Sequence, residues 1–375
     1  MEIKTVAILG AGAIGAYFIY GFSAAPDVDF CLVAKGERRE RLQRDGICIN
    51  GKIYKPDVKT PEEAMGADLL LVATKYNGLR DALEDIRAIV TPQTVVLSLL
   101  NGIDSEEIIA SAIDPSQIVY SLMRINSERK GNSVTFNAEK TPGLYAGEKN
   151  TAEETERLQA IRRLLDKTPL KYNFCSDIIS EQWLKFTLNI AYNLPQAVLG
   201  VGYASYFDSE HVGFIRDRLE EEARKVAAAY GITYGPLENT RPRWLEKARF
   251  STLQDLEAKR HTEIDMFCKV LMERRPLKAL RFRLRNTPIM PSKRWKRRTT
   301  ESSTMHKPSV YARLSDFWPC LVCNGLLVLI PRNRLCSYTD STVQYRFVCN
   351  GVLSVCDKLS AFFVSRALAA KYGSR

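Results

Sequence analysis

Two groups of residues have the types and spacing to do chemistry. The first is Gly10-Ala11-Gly12-Ala13-Ile14-Gly15, which directly follows the apolar run Val6-Ala7-Ile8-Leu9. Glycines at this spacing suit a tight turn, close backbone approach to a pyrophosphate, and packing of a helix on a strand. A helix opening at Ala13 and Ile14 adds amide donors and a favourable dipole for phosphate. The second is Trp183-Leu-Lys185-Phe-Thr-Leu-Asn189-Ile-Ala-Tyr-Asn193. Lys185, Asn189 and Asn193 recur every four residues and share one face of an otherwise apolar helix. Buried asparagines in a helix need hydrogen-bond partners. A substrate can supply them. An ordinary Glu181–Lys185 surface pair beside two satisfied amides fits the pattern equally well.

The elements that must position these groups follow from periodicity. Short apolar runs at residues 6–9, 30–34, 69–73 and 95–99 predict strands buried on both faces of a parallel sheet. Helical stretches at 79–89 and 105–113 lie between them. This alternation predicts a doubly wound α/β fold of Rossmann type over residues 1–172. Long helical patterns at 178–198, 214–230 and 252–273 then predict an all-helical domain over residues 173–274. The second strand ends in Val33-Ala34-Lys35-Gly36, twenty residues after Gly15. An NAD site normally has an acid here for the ribose hydroxyls, whereas a cation favours the 2′-phosphate of NADP. Lys35 is therefore the candidate, with Arg38 or Arg39 assisting. Glu37 argues the other way, as an acid displaced by two positions.

Composition separates the last quarter from the rest. The net charge of the 375 residues is +11, yet residues 275–375 carry 19 Lys and Arg against 4 Asp and Glu. The remainder is slightly acidic, so the basic balance says nothing about the main body's partner. The three histidines show no ligand spacing. Cys320-x-x-Cys323 has no matching second pair, so no metal site is assigned. No run reaches the ~18 apolar residues of a membrane span, and no leader pattern precedes the first strand, so a cytoplasmic protein is expected.

Further motifs carry a resemblance. Lys75 follows the third strand, Leu100-Asn101-Gly102 follows the fourth, and Ser251-Thr-Leu-Gln-Asp255 leads to Thr262-Glu263-Ile264-Asp265. With the glycine cluster and the Trp183 to Asn193 helix, in this order, residues 1 to about 273 resemble ketopantoate reductase. The resemblance implies transfer of hydride from NADPH to the C2 carbonyl of 2-dehydropantoate, giving pantoate for coenzyme A synthesis. It implies that Lys185 stabilises the developing oxyanion and donates the proton. It implies that Glu263 holds the substrate hydroxyl and tunes Lys185. Asn101, Asn189, Asn193 and Ser251 would orient substrate. Lys75 and Asn101 would stand near the cofactor, and Asp255 either supports the site or is a helix-start carboxylate. Paralogues acting on other 2-oxo acids share these motifs, and a chain that only holds cofactor is a further alternative. A homodimer is compatible with this reading.

From Arg274 to Arg298 there are 11 basic residues and no acid. Members of the family usually continue the last long helix with a Gly-Ile-Pro-x-Pro turn and a closing helix, and neither is present. Taking the third base of each codon with the first two of the next permits that turn and a following His-Ala-Ile-Lys-x-Leu-Glu. A frameshift near residue 275 is therefore expected, leaving a tail without a stable fold. The competing reading is a basic module for nucleic acid or an acidic membrane. It is disfavoured, because aromatic interleaving and a basic helical face are lacking.

Overall fold

The computed structural model describes residues 1–238, 240, 241, 246 and 248–274. The expectations for residues 275–375, including Cys320 and Cys323, lie outside the described residues.

The first element, β1 (Thr5–Leu9), is apolar at every position but the first, and the pleat splits its residues between two cores. Val6 and Ile8 face one, Ala7 and Leu9 the other. Helix α1 (Ala13–Phe22) packs next, then β2 (Asp29–Val33) and α2 (Gly36–Asp45). Short strands β3 (Ile47–Ile49), β4 (Lys52–Tyr54) and β5 (Asp57–Lys59) precede β6 (Leu69–Val72). A 3-10 turn, Tyr76–Gly78, leads to α3 (Leu83–Ile89), β7 (Val95–Ser98) and α4 (Ser105–Ala110), and a second, Pro115–Gln117, follows. Then come β8 (Ile118–Arg124), β9 (Ser127–Lys130), β10 (Ser133–Phe136), β11 (Gly143–Gly147), α5 (Glu156–Leu165) and β12 (Tyr172–Phe174).

Eight of these strands form one sheet in the order β12-β11-β8-β7-β6-β1-β2-β5. From β8 to β5 all neighbours are parallel. The ends of β1, β6 and β7 therefore lie side by side at one edge of the sheet, where ligands of open α/β sheets collect. A four-stranded sheet, β4-β3-β10-β9, was not foreseen from the sequence. Its strands are short and half exposed, so their apolar periodicity is weak.

After Phe174 the chain is helical. Asp177 caps α6 (Ile178–Leu188) by accepting from the Ser180 amide at 3.0 Å. The helix expected over 178–198 is not regular. A π turn, Asn189–Asn193, separates α6 from α7 (Leu194–Leu199). Pro195 has no amide to return to the Ala191 carbonyl, which removes one i→i−4 bond where the helix widens. Helices α8 (Ser205–Asp208) and α9 (Glu210–Ala229) follow. The helix expected over 252–273 is also interrupted. Helix α10 (Ser251–Glu257) stops before Lys259, whose φ of 54° is left-handed. The chain re-enters helix through a second π turn, Asp265–Lys269, and α11 (Val270–Glu273). Glu263 therefore stands on a connection rather than inside a helix. Trp183, Phe186, Ile190, Ile264 and Phe267 share one helical core with Ile103 from the end of the sheet, which fixes the helices against the strand ends.

Candidate active site

The glycine cluster forms a cradle with a distinct task for each glycine. Gly10 has φ of 119°, and a Cβ there would lie 2.5 Å from the Ala73 carbonyl oxygen. A Cβ on Gly15 would lie 2.0 Å from the Gly10 oxygen. These two glycines let the turn, β6 and α1 pack together. At Gly12 the nearest atom to such a Cβ is 3.9 Å away, which leaves the backbone open to an approaching group. No side chain caps the start of α1, so the amides of its first turn, at Ala13 and Ile14, have no side-chain partner. Beside the cradle, Thr74 has a buried hydroxyl oxygen without a hydrogen-bond partner. An open Gly12, uncapped amides and an unsatisfied hydroxyl fit a dinucleotide pyrophosphate.

Lys35 stands just beyond β2 and caps the backbone of α2. Its ammonium is exposed and pairs with Asp85 of α3, which raises its proton affinity. Arg39 pairs with Glu63. Arg129 of β9 has its proton affinity lowered by burial and then by the facing charges of Arg38, Arg41 and Arg260. The surface around α2 is thus rich in cations.

Lys185 lies near the C-terminal end of α6, against the end of the sheet. Its Nζ donates to Asn101 Oδ1 at 2.6 Å and to the Met123 carbonyl. Burial, followed by the charge of Arg124, pushes its pKa down to about 7, while Glu263 opposes the shift. An amine poised near neutrality both holds and releases a proton at physiological pH. Asn101 is placed by a sharp turn. Gly102 has φ of 98°, and a Cβ there would lie 2.7 Å from Met266 Cγ. The loop after β7 therefore packs directly on the second π turn.

Residues 75–77 join the strand ends to the helices. Lys75 Nζ lies 2.7 Å from Asp255 Oδ2, the Tyr76 amide donates to Glu263 Oε1 at 2.8 Å, and Asn77 Nδ2 donates to the Thr262 carbonyl at 3.0 Å. Asp255 is buried and also accepts from Arg260 Nε at 2.8 Å. It thus ties cations together and is more than a helix-start carboxylate. Glu263 has its proton affinity raised by burial, against the Tyr76 amide, Lys75 and Lys185. It faces Lys185 through space, with no direct hydrogen bond between them among the described residues.

Asn189 and Asn193 open and close the first π turn and are both buried. Asn193 Nδ2 donates to Asn189 Oδ1 at 3.0 Å, while Asn193 Oδ1 is buried without a partner. That orphaned acceptor is open to a hydrogen-bond donor from outside the chain. Ser251 is the exposed first residue of α10, one turn before Asp255. Its hydroxyl makes no hydrogen bond in the described residues. The structure thus brings Lys185, Asn101, Glu263, Lys75 and Asp255 into one connected set, places the asparagine pair on the same helical run, and leaves Ser251 and Lys35 at the margins.

Sequence reasoning missed three participants. Thr74 had a signal, its place just past a buried strand. Tyr76 contributes a backbone amide, and its hydroxyl donates to Asp104 at 2.6 Å; a backbone role leaves no mark in residue type. Arg124 ends the run 118–124, whose signal was the Asp114-Pro115-Ser116 turn just before an apolar start at Ile118.

Family models match this arrangement. The ketopantoate reductase PanE/ApbA model covers residues 6–149, and its C-terminal counterpart covers residues 177–274. The chain belongs to the ketopantoate reductase family. Ketopantoate reductases are oxidoreductases that act on a CH–OH group with a nicotinamide cofactor. One relative, the 2-dehydropantoate 2-reductase of Mesorhizobium japonicum, is 26% identical over 296 residues, covering 72% of this chain and 90% of the relative. Among solved structures, a putative ketopantoate reductase from Ralstonia solanacearum MolK2 shares the fold with a TM-score of 0.63. It has 21% identity and covers 73% of this chain and 91% of the other. D-mandelate dehydrogenase, solved with NADH and anilino(oxo)acetate, shares it with a TM-score of 0.61, 23% identity and coverage of 72% and 91%.

Proposed function

We propose that this chain reduces the C2 carbonyl of 2-dehydropantoate to pantoate with NADPH, as a cytoplasmic step toward pantothenate and coenzyme A. The carrying observation is Lys185, held between Asn101 and Met123 with its pKa near 7, at the strand edge that also bears the glycine cradle. Gly10, Gly12, Ala13, Ile14, Gly15 and Thr74 would hold the dinucleotide, with Lys75 and Asn101 beside it and Lys35 taking the 2′-phosphate. Bound NADPH supplies the hydride. Lys185 meets the substrate carbonyl oxygen, stabilises the charge that builds there, and gives up one proton to form the alcohol. The resulting neutral amine is reprotonated from solvent. Glu263 favours the ammonium form and accepts from a substrate hydroxyl, and Asn193 Oδ1 takes another donor. Ser251 contributes its exposed hydroxyl from the start of α10.

The cofactor preference rests on the absence of an acid at Ala34 and Lys35 and on the cations around α2. No helix of the described residues is long and apolar enough to cross a membrane. The sequence from about residue 275, just past the matched region, is read as the product of a shifted frame. The function is tested by following NADPH consumption by the full chain with 2-dehydropantoate and with branched and aryl 2-oxo acids. Highest kcat/KM for 2-dehydropantoate supports the proposal. A clear preference for an aryl acid moves the assignment to another 2-oxo acid, and turnover of none refutes it.

A further inference from the structure

Arg124, the last residue of β8, points its guanidinium toward α6 beside Lys185. Its Nη2 lies 2.5 Å from Glu181 Oε2, one helical turn before Lys185. The guanidinium also stands over the Tyr145 ring, 4.5 Å from its centroid, which fixes its plane. Among the described residues its Nε and Nη1 make no hydrogen bond. About a third of the side chain is exposed, 35% for Arg124 and 34% for Glu181, so a ligand can reach it. Other cations of the candidate site differ. Lys75 and Arg260 both spend their charge on the buried carboxylate of Asp255. Arg124 therefore keeps free donors next to the proton-donating amine.

We propose that Arg124 is the specificity-determining partner of the substrate's carboxylate, using the donors that Glu181 leaves open. The inference rests on the reductase reading above and names what that reading leaves open, namely how a 2-oxo acid is told from a neutral ketone. In such an acid the carboxyl carbon is bonded directly to the carbonyl carbon. A group that grips the carboxylate must therefore adjoin the group that meets the carbonyl oxygen, and Arg124 adjoins Lys185. A planar guanidinium fixed on an aromatic ring keeps its remaining donors in set directions, and a charge-assisted bond from Nη1 or Nε can reach a carboxylate. Binding has a second effect. Arg124 is the nearby charge that disfavours the Lys185 ammonium, and a carboxylate between them offsets it. The proton donor is then most fully charged when substrate is present.

The test compares 2-dehydropantoate with its uncharged methyl ester, using the full chain and NADPH. The wild type should prefer the acid by at least about tenfold in kcat/KM. Arg124→Met should lose roughly 10- to 100-fold on the acid, mostly through KM, the range expected for hydrogen bonds to a charged group. The loss on the ester should be at least about tenfold smaller than on the acid, and Arg124→Lys should recover part of the loss on the acid. Equal wild-type rates on acid and ester would overturn the proposal while leaving the reductase reading intact. So would an equal loss on both substrates, or a loss traced to weaker NADPH binding alone. An Arg124→Met chain that fails to fold leaves the decision to wild-type discrimination and to Arg124→Lys, which must weaken the acid and spare the ester. Absence of turnover with every 2-oxo acid removes the reductase reading itself and the proposal with it.

Discussion

Lys185 Nζ and Asn101 Oδ1, 84 residues apart in sequence, lie 2.6 Å from each other and link α6 to the loop after β7. Lys185→Ala is expected to lower turnover by at least about 100-fold, the usual scale for a positioned proton donor. NADPH affinity should be nearly unchanged, since the cradle is built from the strand ends. Steady-state rates and cofactor titration by fluorescence measure both. Near-normal turnover would remove Lys185 from the mechanism.

The rate of reduction should follow the protonated amine. With a pKa near 7 in the free enzyme, kcat/KM is expected to be level on the acid side and to fall about tenfold per pH unit well above neutrality. Burial and Arg124 both disfavour the charged form, so the descending limb lies far below that of an ordinary lysine. A pH profile that stays flat to pH 9 would contradict the assignment.

The cradle glycines should separate by task. Gly15→Ala places a methyl against the Gly10 oxygen and is expected to destabilise the fold by roughly 1–3 kcal/mol. Gly12 has an ordinary φ of −81° and open space, so Gly12→Ala should change stability by less than about 0.5 kcal/mol. It should nevertheless weaken cofactor binding strongly, because the methyl occupies the approach path. Melting curves with and without NADPH distinguish the two.

Lys35 is held by Asp85 in the free chain. Lys35→Asp is expected to weaken NADPH by at least about tenfold while sparing NADH, as loss of a charged hydrogen bond implies. Asp85→Asn should tighten NADPH severalfold by releasing the ammonium. Equal affinity of the unmodified protein for both cofactors would defeat the assignment.

The four central strands of the parallel sheet, β1, β2, β6 and β7, were legible because their apolar runs are buried on both faces, so periodicity and composition agree; β5 and β8, which flank them, were not. Val6 and Ile8 serve one core while Ala7 and Leu9 serve the other, and no polar face was needed to find them. The polar stripe of Lys185, Asn189 and Asn193 was legible as a spacing, though its geometry was not. A four-residue repeat assumes an unbroken helix; Pro195 signalled an interruption, but not that the helix would widen into a π turn there. The break at Lys259 left no sign either, since lysine in a left-handed conformation is held by its surroundings. The Tyr76 amide on Glu263 depends on tertiary contact alone. The basic segment from residue 275 was legible only as composition. Restoring the alternative frame there is expected to raise Tm and activity together, and sequencing across codon 275 checks its premise.

Both π turns adjoin residues of the site, one running from Asn189 to Asn193 and the other beginning two residues after Glu263. A π turn is in effect one extra residue accommodated within an α-helix, and such turns frequently occur at functional sites. Deleting one residue from either turn would remove the bulge and restore a regular helix, while the flanking segments keep their faces. The residues of the turn itself, with the buried asparagine acceptor or with Met266 against Gly102, would then face elsewhere. These two helices are therefore far more sensitive to changes in length than to most changes in residue type. Single-residue insertion offers an evolutionary route by which an ordinary helical bundle acquires an inward-facing polar atom.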